Sequence, residues 1–387
     1  MKYNYDERQL RALCFTASLA PVSRLLPKAT ARIAGSGSWI APLIALPILL
    51  IFILLLSQFM KMRRDGEGLG ELVLRTGGSV FGGFTLVFLS AFMIFEGGFI
   101  LRSAANRFIS TIYPAAEPWF FIAIMLIMGA VASLGAVKAL PRAARIFAPV
   151  LVAVLLLTLF FAFSQVEPTK LLPISRSDTP DLFLSSLVVV EIYAGMLIFT
   201  AVLEDQCRRR DRFKSLALWI VPICLLLTAF CAAIIGSYGA DIAAGFSSPF
   251  FSMVRDVTLF RTVERIEALV AALWVMSDFT LLALLLIASG HLLRLVFGFR
   301  PEKADVPMFS MKNGRWLIAL CAALTGAAAA FIPADETALS FISQYVIPSL
   351  SLVTAFIVLP IWFILSRRSC RRGNCRGEHR SSGGDCR

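Results

Sequence analysis

Apolar residues fall into ten runs separated by short polar gaps, near 10–33, 38–60, 79–101, 117–137, 145–164, 183–203, 215–237, 266–293, 315–332 and 343–366. About 20 helical residues cross the hydrocarbon core of a bilayer, so the pattern predicts about ten transmembrane helices in an all-α integral membrane protein. Hydrophobic residues make up 58% of the 387 positions and charged residues 16%. One soluble core could not hide that much apolar surface, and lipid is the natural solvent for it.

A net charge of +12 would point to nucleic acid in a soluble protein. Here the basic residues sit between the apolar runs and read as topology signals, with no nucleic-acid partner expected. With the N-terminus inside, 27 of the 37 Lys and Arg fall in cytoplasmic segments. Positive charge in short loops resists translocation, so both termini are expected in the cytoplasm. The expected organisation is a cytoplasmic N-terminus at 1–9, one membrane domain at 10–366 and a basic, disordered, lipid-facing tail at 367–387. A cleaved signal peptide ending near Ser18-Leu19-Ala20 is the rival reading of the first run. Pro21, Arg24, Pro27 and Lys28, which follow at once, fit an interrupted first helix better.

Ten spans with both ends inside predict two five-helix halves of opposite topology, 10–164 and 183–366, a five-plus-five inverted repeat in which ligands sit beside broken helices. Ala20-Pro21-Val22-Ser23 lies in the middle of the first span, where proline removes a backbone donor. Glu191, Tyr193 and Gly195 lie at the centre of the sixth, where glycine tolerates unwinding. Helices 1 and 6 are therefore expected to be broken, with half-helix amides facing an anionic group such as a substrate carboxylate.

A carboxyl group in lipid costs about 2.5–3.5 kcal/mol on insertion scales, so intramembrane acids should face the bundle interior. Glu96, Glu191 and Asp278 are the candidates for proton or ion coupling. Glu267, Ala271, Trp274 and Asp278 follow spacings of four, three and four and share one face of span eight. His291, with no partner nearby in sequence, reads as structural. The eight cysteines form no secreted framework and are expected reduced. His379 with Cys370, Cys375 and Cys386 fits no zinc spacing, so no metal and no cofactor are expected. The absence of a phosphate loop, a nucleophile triad or a helical His-Glu-x-x-His argues against an enzyme.

The stretch SPFFSMVRDVTLFRTVERIEALVAALWVMSDF, Ser248 to Phe279, resembles the B subunits of spore nutrient germinant receptors. These belong to the spore permease branch of the amino acid, polyamine and organocation transporter superfamily. The likeness rests on the Pro-Phe-Phe, on Glu264-Arg265-Ile266-Glu267 and on Trp274. It extends to the opening DERQLRALCF with Pro27, to Ser38-Trp39-Ile40 and to Leu171-Leu172-Pro173-Ile174. The chain departs from the pattern in offering Ala20 and Pro21 where a glycine is expected, in a more polar loop after Ile174 and in a longer Arg- and Cys-rich tail.

The resemblance implies a nutrient-sensing subunit in the spore inner membrane, with a membrane A subunit and a lipoprotein C subunit as partners. The residues themselves point to a mid-membrane pocket between spans one, three, six and eight, sized for a small nutrient such as an amino acid. Ala20, Pro21, Val22, Ser23, Glu191, Tyr193, Ala194, Gly195, Ser277, Asp278 and Thr280 are expected to bind it. Phe250, Phe251 and Met253 predict a short helix over the pocket as a lid. A proton- or sodium-coupled amino acid permease is the alternative function, and a passive water or ion conduit a further one.

Overall fold

The computed structural model describes residues 6–63, 67–111, 117–134, 139–172, 179–203, 212–246, 248–256, 266–298 and 312–373. The expectations for Pro173 and Ile174, for Glu264 and Arg265 and for His379, Cys375 and Cys386 lie outside them. Of Ala20, Ser23, Glu267 and Ala271 only the helical backbone is described.

Every regular element among the described residues is helical, as lipid requires of a chain that does not close a barrel. The ten apolar runs correspond to ten helical stretches. The first five are α1 (Glu7–Ala34), α2 (Ala41–Lys61), α3 and α4 (Leu69–Gly77 and Gly83–Thr111, one span), α5 (Pro118–Leu134) and α6 (Ala139–Ala162). The second five are α7 (Thr179–Val202), α8 (Arg212–Tyr238), α11 (Ile266–Val296), α12 (Lys312–Phe331) and a last span made of α13 (Glu336–Phe341), α14 (Ile347–Val353) and α15 (Leu359–Gly373). The short helices α9 (Ala240–Gly245) and α10 (Pro249–Asp256) lie between α8 and α11.

By length and composition alone, seven stretches among the described residues are apolar enough to cross a membrane, one of them running from Leu26 of α1 through α2. Helices α5 and α12 are apolar but shorter, and α1 as a whole carries Arg8, Arg11, Arg24, Lys28 and Arg32. α1 needs no lipid-facing surface, because α6, α7 and α11 enclose it. The two halves interlock through corresponding members. α1 packs on α7, α2 on α8, α4 on α11 and α5 on α12, each span against the one five places later. Helix α7 is buried on every face from Val189 to Val202, which makes it an axis of the bundle.

Neither expected break is present. α1 runs unbroken through Pro21 and Pro27, and α7 through Gly195. A proline deletes a single donor, and where no water competes, the other backbone bonds hold the helix together. Gly195 permits unwinding without requiring it; its φ is not among the positive ones.

The departures from α geometry lie in spans three and ten instead. π turns occupy Ile342–Val346 and Thr354–Val358, each ending just before an X-Pro pair, Ile347-Pro348 and Leu359-Pro360. A wider turn there relieves the clash of each ring with the carbonyl four residues back. The third π turn, Gly78–Gly82, joins α3 to α4, and Gly78 supplies its φ of +70°. The notch at Gly77 is filled by the Trp362 ring, which occupies the place where a Cβ would stand.

α1 is tied down at both ends. Arg11 Nη1 donates to the Ser215 carbonyl at 3.2 Å and also to the Ser215 hydroxyl. At the other end Arg32 donates to the Ala244 carbonyl and to Gln344 Oε1, both at 3.1 Å.

Candidate functional site

A small cavity lined largely by buried residues lies between the central helices. Pro21 comes from α1, Glu96, Phe99 and Ile100 from α4, and Glu191, Ile192, Gly195, Met196 and Phe199 from α7. Leu281 of α11 and Ile347 and Ser351 of α14 complete it. It offers ≈ 20 Å³ to the centre of a water-sized group, and roughly 10–15 Å³ suffices to hold one water. Glu96 is 7% exposed and Glu191 2%, so two buried carboxyls share one small space.

The helices set this arrangement. Because α7 is surrounded by protein, its polar residues must face protein or the cavity. Glu191, Gly195 and Phe199, four residues apart, form the face toward α4 and α14. The Gly97-Gly98 pair lets α4 approach α12 closely, with Thr325, Ala328 and Ala329 against the two glycines.

A second, nearly apolar cavity of ≈ 30 Å³ lies on the other side of α1 and α7. Val22 and Tyr193 line it, with Phe15, Ser18, Phe230 and Cys231 among their neighbours. The Tyr193 ring meets Trp219 edge-on, centroids 6.1 Å apart. Tyr193 is thus a wall of a different space from the one Glu191 lines. Ala194, fully buried, lines neither cavity.

The predicted residues of span eight hold structure together. Ser277 Oγ donates to the Thr16 carbonyl at 2.6 Å and ties α11 to α1. Thr280 Oγ1 donates to Met276 of its own helix. Asp278 pairs with Arg107 of α4, whose guanidinium carbon lies 6.0 Å from the Trp274 ring centre. The predicted short helix is α10. Its Phe251 stacks on Trp274 at 5.2 Å, and Phe250 touches both Trp274 and Phe230. His291 does have a partner, brought from another span: its Nε2 lies 3.6 Å from Glu71 Oε1.

Removing one partner of the largely buried Arg107–Asp278 pair strands the other. Asp278→Asn is therefore expected to cost on the order of 3 kcal/mol. In detergent it should melt at clearly lower temperature than wild type, whereas the double replacement Arg107→Met with Asp278→Leu should recover most of the loss. Equal melting of Asp278→Asn and wild type would remove the pair from the account of stability.

Sequence reading missed the contribution of span ten. Ser343, Ile347, Ser351 and Thr354 follow spacings of four, four and three, and all four are buried. That small, polar inner face was the available signal.

Ten helical stretches among the described residues, paired across two five-helix halves around a small acid-lined cavity, define a multi-pass membrane protein with an inverted-repeat, transporter-like fold. Solved transporters share the architecture at low identity. Mhp1, a nucleobase-cation-symport-1 family transporter in a closed conformation with bromovinylhydantoin bound, aligns with a TM-score of 0.67 and 14% identity over 93% of this chain and 78% of its own. A Na⁺-coupled sialic acid symporter, substrate-bound and outward-open, gives 0.57 and 13% over 91% and 79%. MhsT in complex with L-phenylalanine gives 0.53 and 14% over 95% and 99%. The chain itself belongs to the spore germination protein family, whose model matches residues 7–329. No curated protein matches it in sequence. The family is that of spore germination proteins, and the fold is that of solved membrane transporters.

Proposed function

We propose that this chain is the membrane B subunit of a spore nutrient germinant receptor and that a small nutrient, such as an amino acid, binds in the cavity of Glu96 and Glu191. The observation that carries the reading is the pairing of a spore germination protein with a symporter fold whose centre holds a small acid-lined cavity. A water-sized space cannot hold a whole nutrient, so the ligand enters a more open state. To act as a trigger it binds one state more tightly than the other. Membrane A and lipoprotein C subunits read that shift. In this reading the protein sits in the spore inner membrane with both termini cytoplasmic and halves 10–164 and 183–366.

Pro21, Glu96, Glu191 and Gly195 touch the nutrient. Val22, Tyr193 and Ala194, with the backbone at Ala20 and Ser23, form the surrounding stretches of α1 and α7; Ser277 ties α11 to α1, Asp278 ties it to α4, and Thr280 bonds within α11 itself. Spores carrying Glu191→Gln should accumulate the protein yet need at least about ten-fold more nutrient for half-maximal germination, about 1.4 kcal/mol of binding. They should still germinate with a receptor-independent trigger. An unshifted nutrient dose–response with normal protein levels would refute the assignment.

The symporters among the solved neighbours favour one second reading, a proton- or sodium-coupled permease. Gradient-driven uptake by the purified chain in liposomes would support it, and co-purification with A and C subunits would support the receptor. No observation here favours the passive conduit.

A further inference from the structure

The chemistry of the central cavity is opposite in sign to the one expected from broken helices. With α1 and α7 continuous, no half-helix N-terminus opens into the space to greet an anion. Of its twelve described lining residues two are acidic, and none is Lys, Arg or His. Glu191 is 2% exposed and makes no hydrogen bond or ion pair among the described residues. A buried carboxylate without a counter-charge is costly, and the penalty falls when a cation with N–H donors arrives.

We propose that this cavity recognises a positively charged nitrogen, the ammonium group of a small amine or amino acid, with Glu191 as its principal partner and Glu96 as a second acceptor. This deepens the nutrient-binding reading and rests on it. Three features select an ammonium over other occupants. It is a cation, whereas a carboxylate has the wrong charge and a sugar has none, and its size is that of a water, so this one group fits the ≈ 20 Å³ present. Its donors match the acceptors present, two carboxyls and the Ser351 hydroxyl. A hard metal ion gathers about six or more oxygen ligands. Here the remaining described side chains are apolar or aromatic, including Phe99 and Phe199, surroundings that suit an organic cation.

The test is binding by the purified full-length chain in lipid nanodiscs, read by calorimetry and thermal shift. The probes are the proteinogenic amino acids, the matching 2-hydroxy acids, ethylamine, glucose and sodium chloride. An amino acid or ethylamine is expected to bind, with the matching hydroxy compound at least about ten-fold weaker. Glu191→Gln should weaken the amine probe by at least about ten-fold, and Glu191→Asp, which keeps the charge, by no more than about three-fold. Equal binding of amino and hydroxy acid, glucose as the sole ligand, or equal affinity in Glu191→Gln would overturn the ammonium assignment while leaving nutrient binding intact. Stabilisation by sodium chloride alone, lost in Glu191→Gln, would replace the amine with a metal ion and overturn it too. If no probe binds protein that retains nutrient response in spores, both readings fall.

Discussion

Gly98→Val is expected to cut the amount of protein in the membrane at least about five-fold, because a destabilisation of a few kcal/mol is removed by cellular quality control. A Cβ at position 98 would stand 2.6 Å from the Ala328 Cβ and 2.9 Å from the Ala329 backbone nitrogen. Backbone cannot swing aside as a side-chain tip can, so α4 and α12 must separate. Overpacking of this kind typically costs about 1–3 kcal/mol, and a clash with main chain belongs at the upper end. Glu96 and Phe99 flank the contact, so the cavity loses its wall as well. Gly83→Ala is the control: nothing lies within 4 Å of a Cβ there, and alanine should be neutral or stabilise the helix by about 0.5–1 kcal/mol. Quantitative immunoblotting of membranes measures both; wild-type levels of Gly98→Val would show that the helices part without penalty.

Gly195→Val is expected to act on the site and to spare the fold. The nearest neighbours of a Cβ at 195 are Ser351 Oγ at 3.4 Å and two Phe199 ring atoms at 3.9 Å, which is ordinary contact. The branched methyls would then project beside a space of ≈ 20 Å³ and fill it. Normal accumulation with at least about a ten-fold loss of nutrient sensitivity is the expected outcome. Gly195→Ala should fall between. Because this change alters volume and leaves charge untouched, it is independent of Glu191→Gln. Normal sensitivity in Gly195→Val would move the nutrient elsewhere.

The spans were readable in the sequence because a bilayer imposes a length on every apolar run, and the pairing of halves followed from their number. Interior acids were readable too: Glu96 and Glu191, placed in spans three and six, share one cavity. What could not be read was anything decided by partners far along the chain. Asp278 looked like a site residue, but Arg107, 171 positions away, claims it. Tyr193 and Glu191 are neighbours in sequence yet face different cavities, since two residues along a helix turn the side chain by about 200°. The proline rule failed in span one and worked in span ten, where Pro348 and Pro360 follow π turns. The same ring chemistry gives different backbones, because packing decides whether the chain widens around the lost bond.

The continuity of α1 changes how movement at the cavity can travel. Two half-helices hinge independently, but one rod pivots as a whole. Pro21 lies ten residues from Arg11, about 15 Å at ~1.5 Å per residue, so a tilt of about 5° about the cavity displaces that end by ~1.3 Å. Such a shift is enough to part the Arg11 guanidinium from the Ser215 carbonyl, now 3.2 Å away. The far anchor would register occupancy of the centre as a lever arm registers a small rotation at its fulcrum.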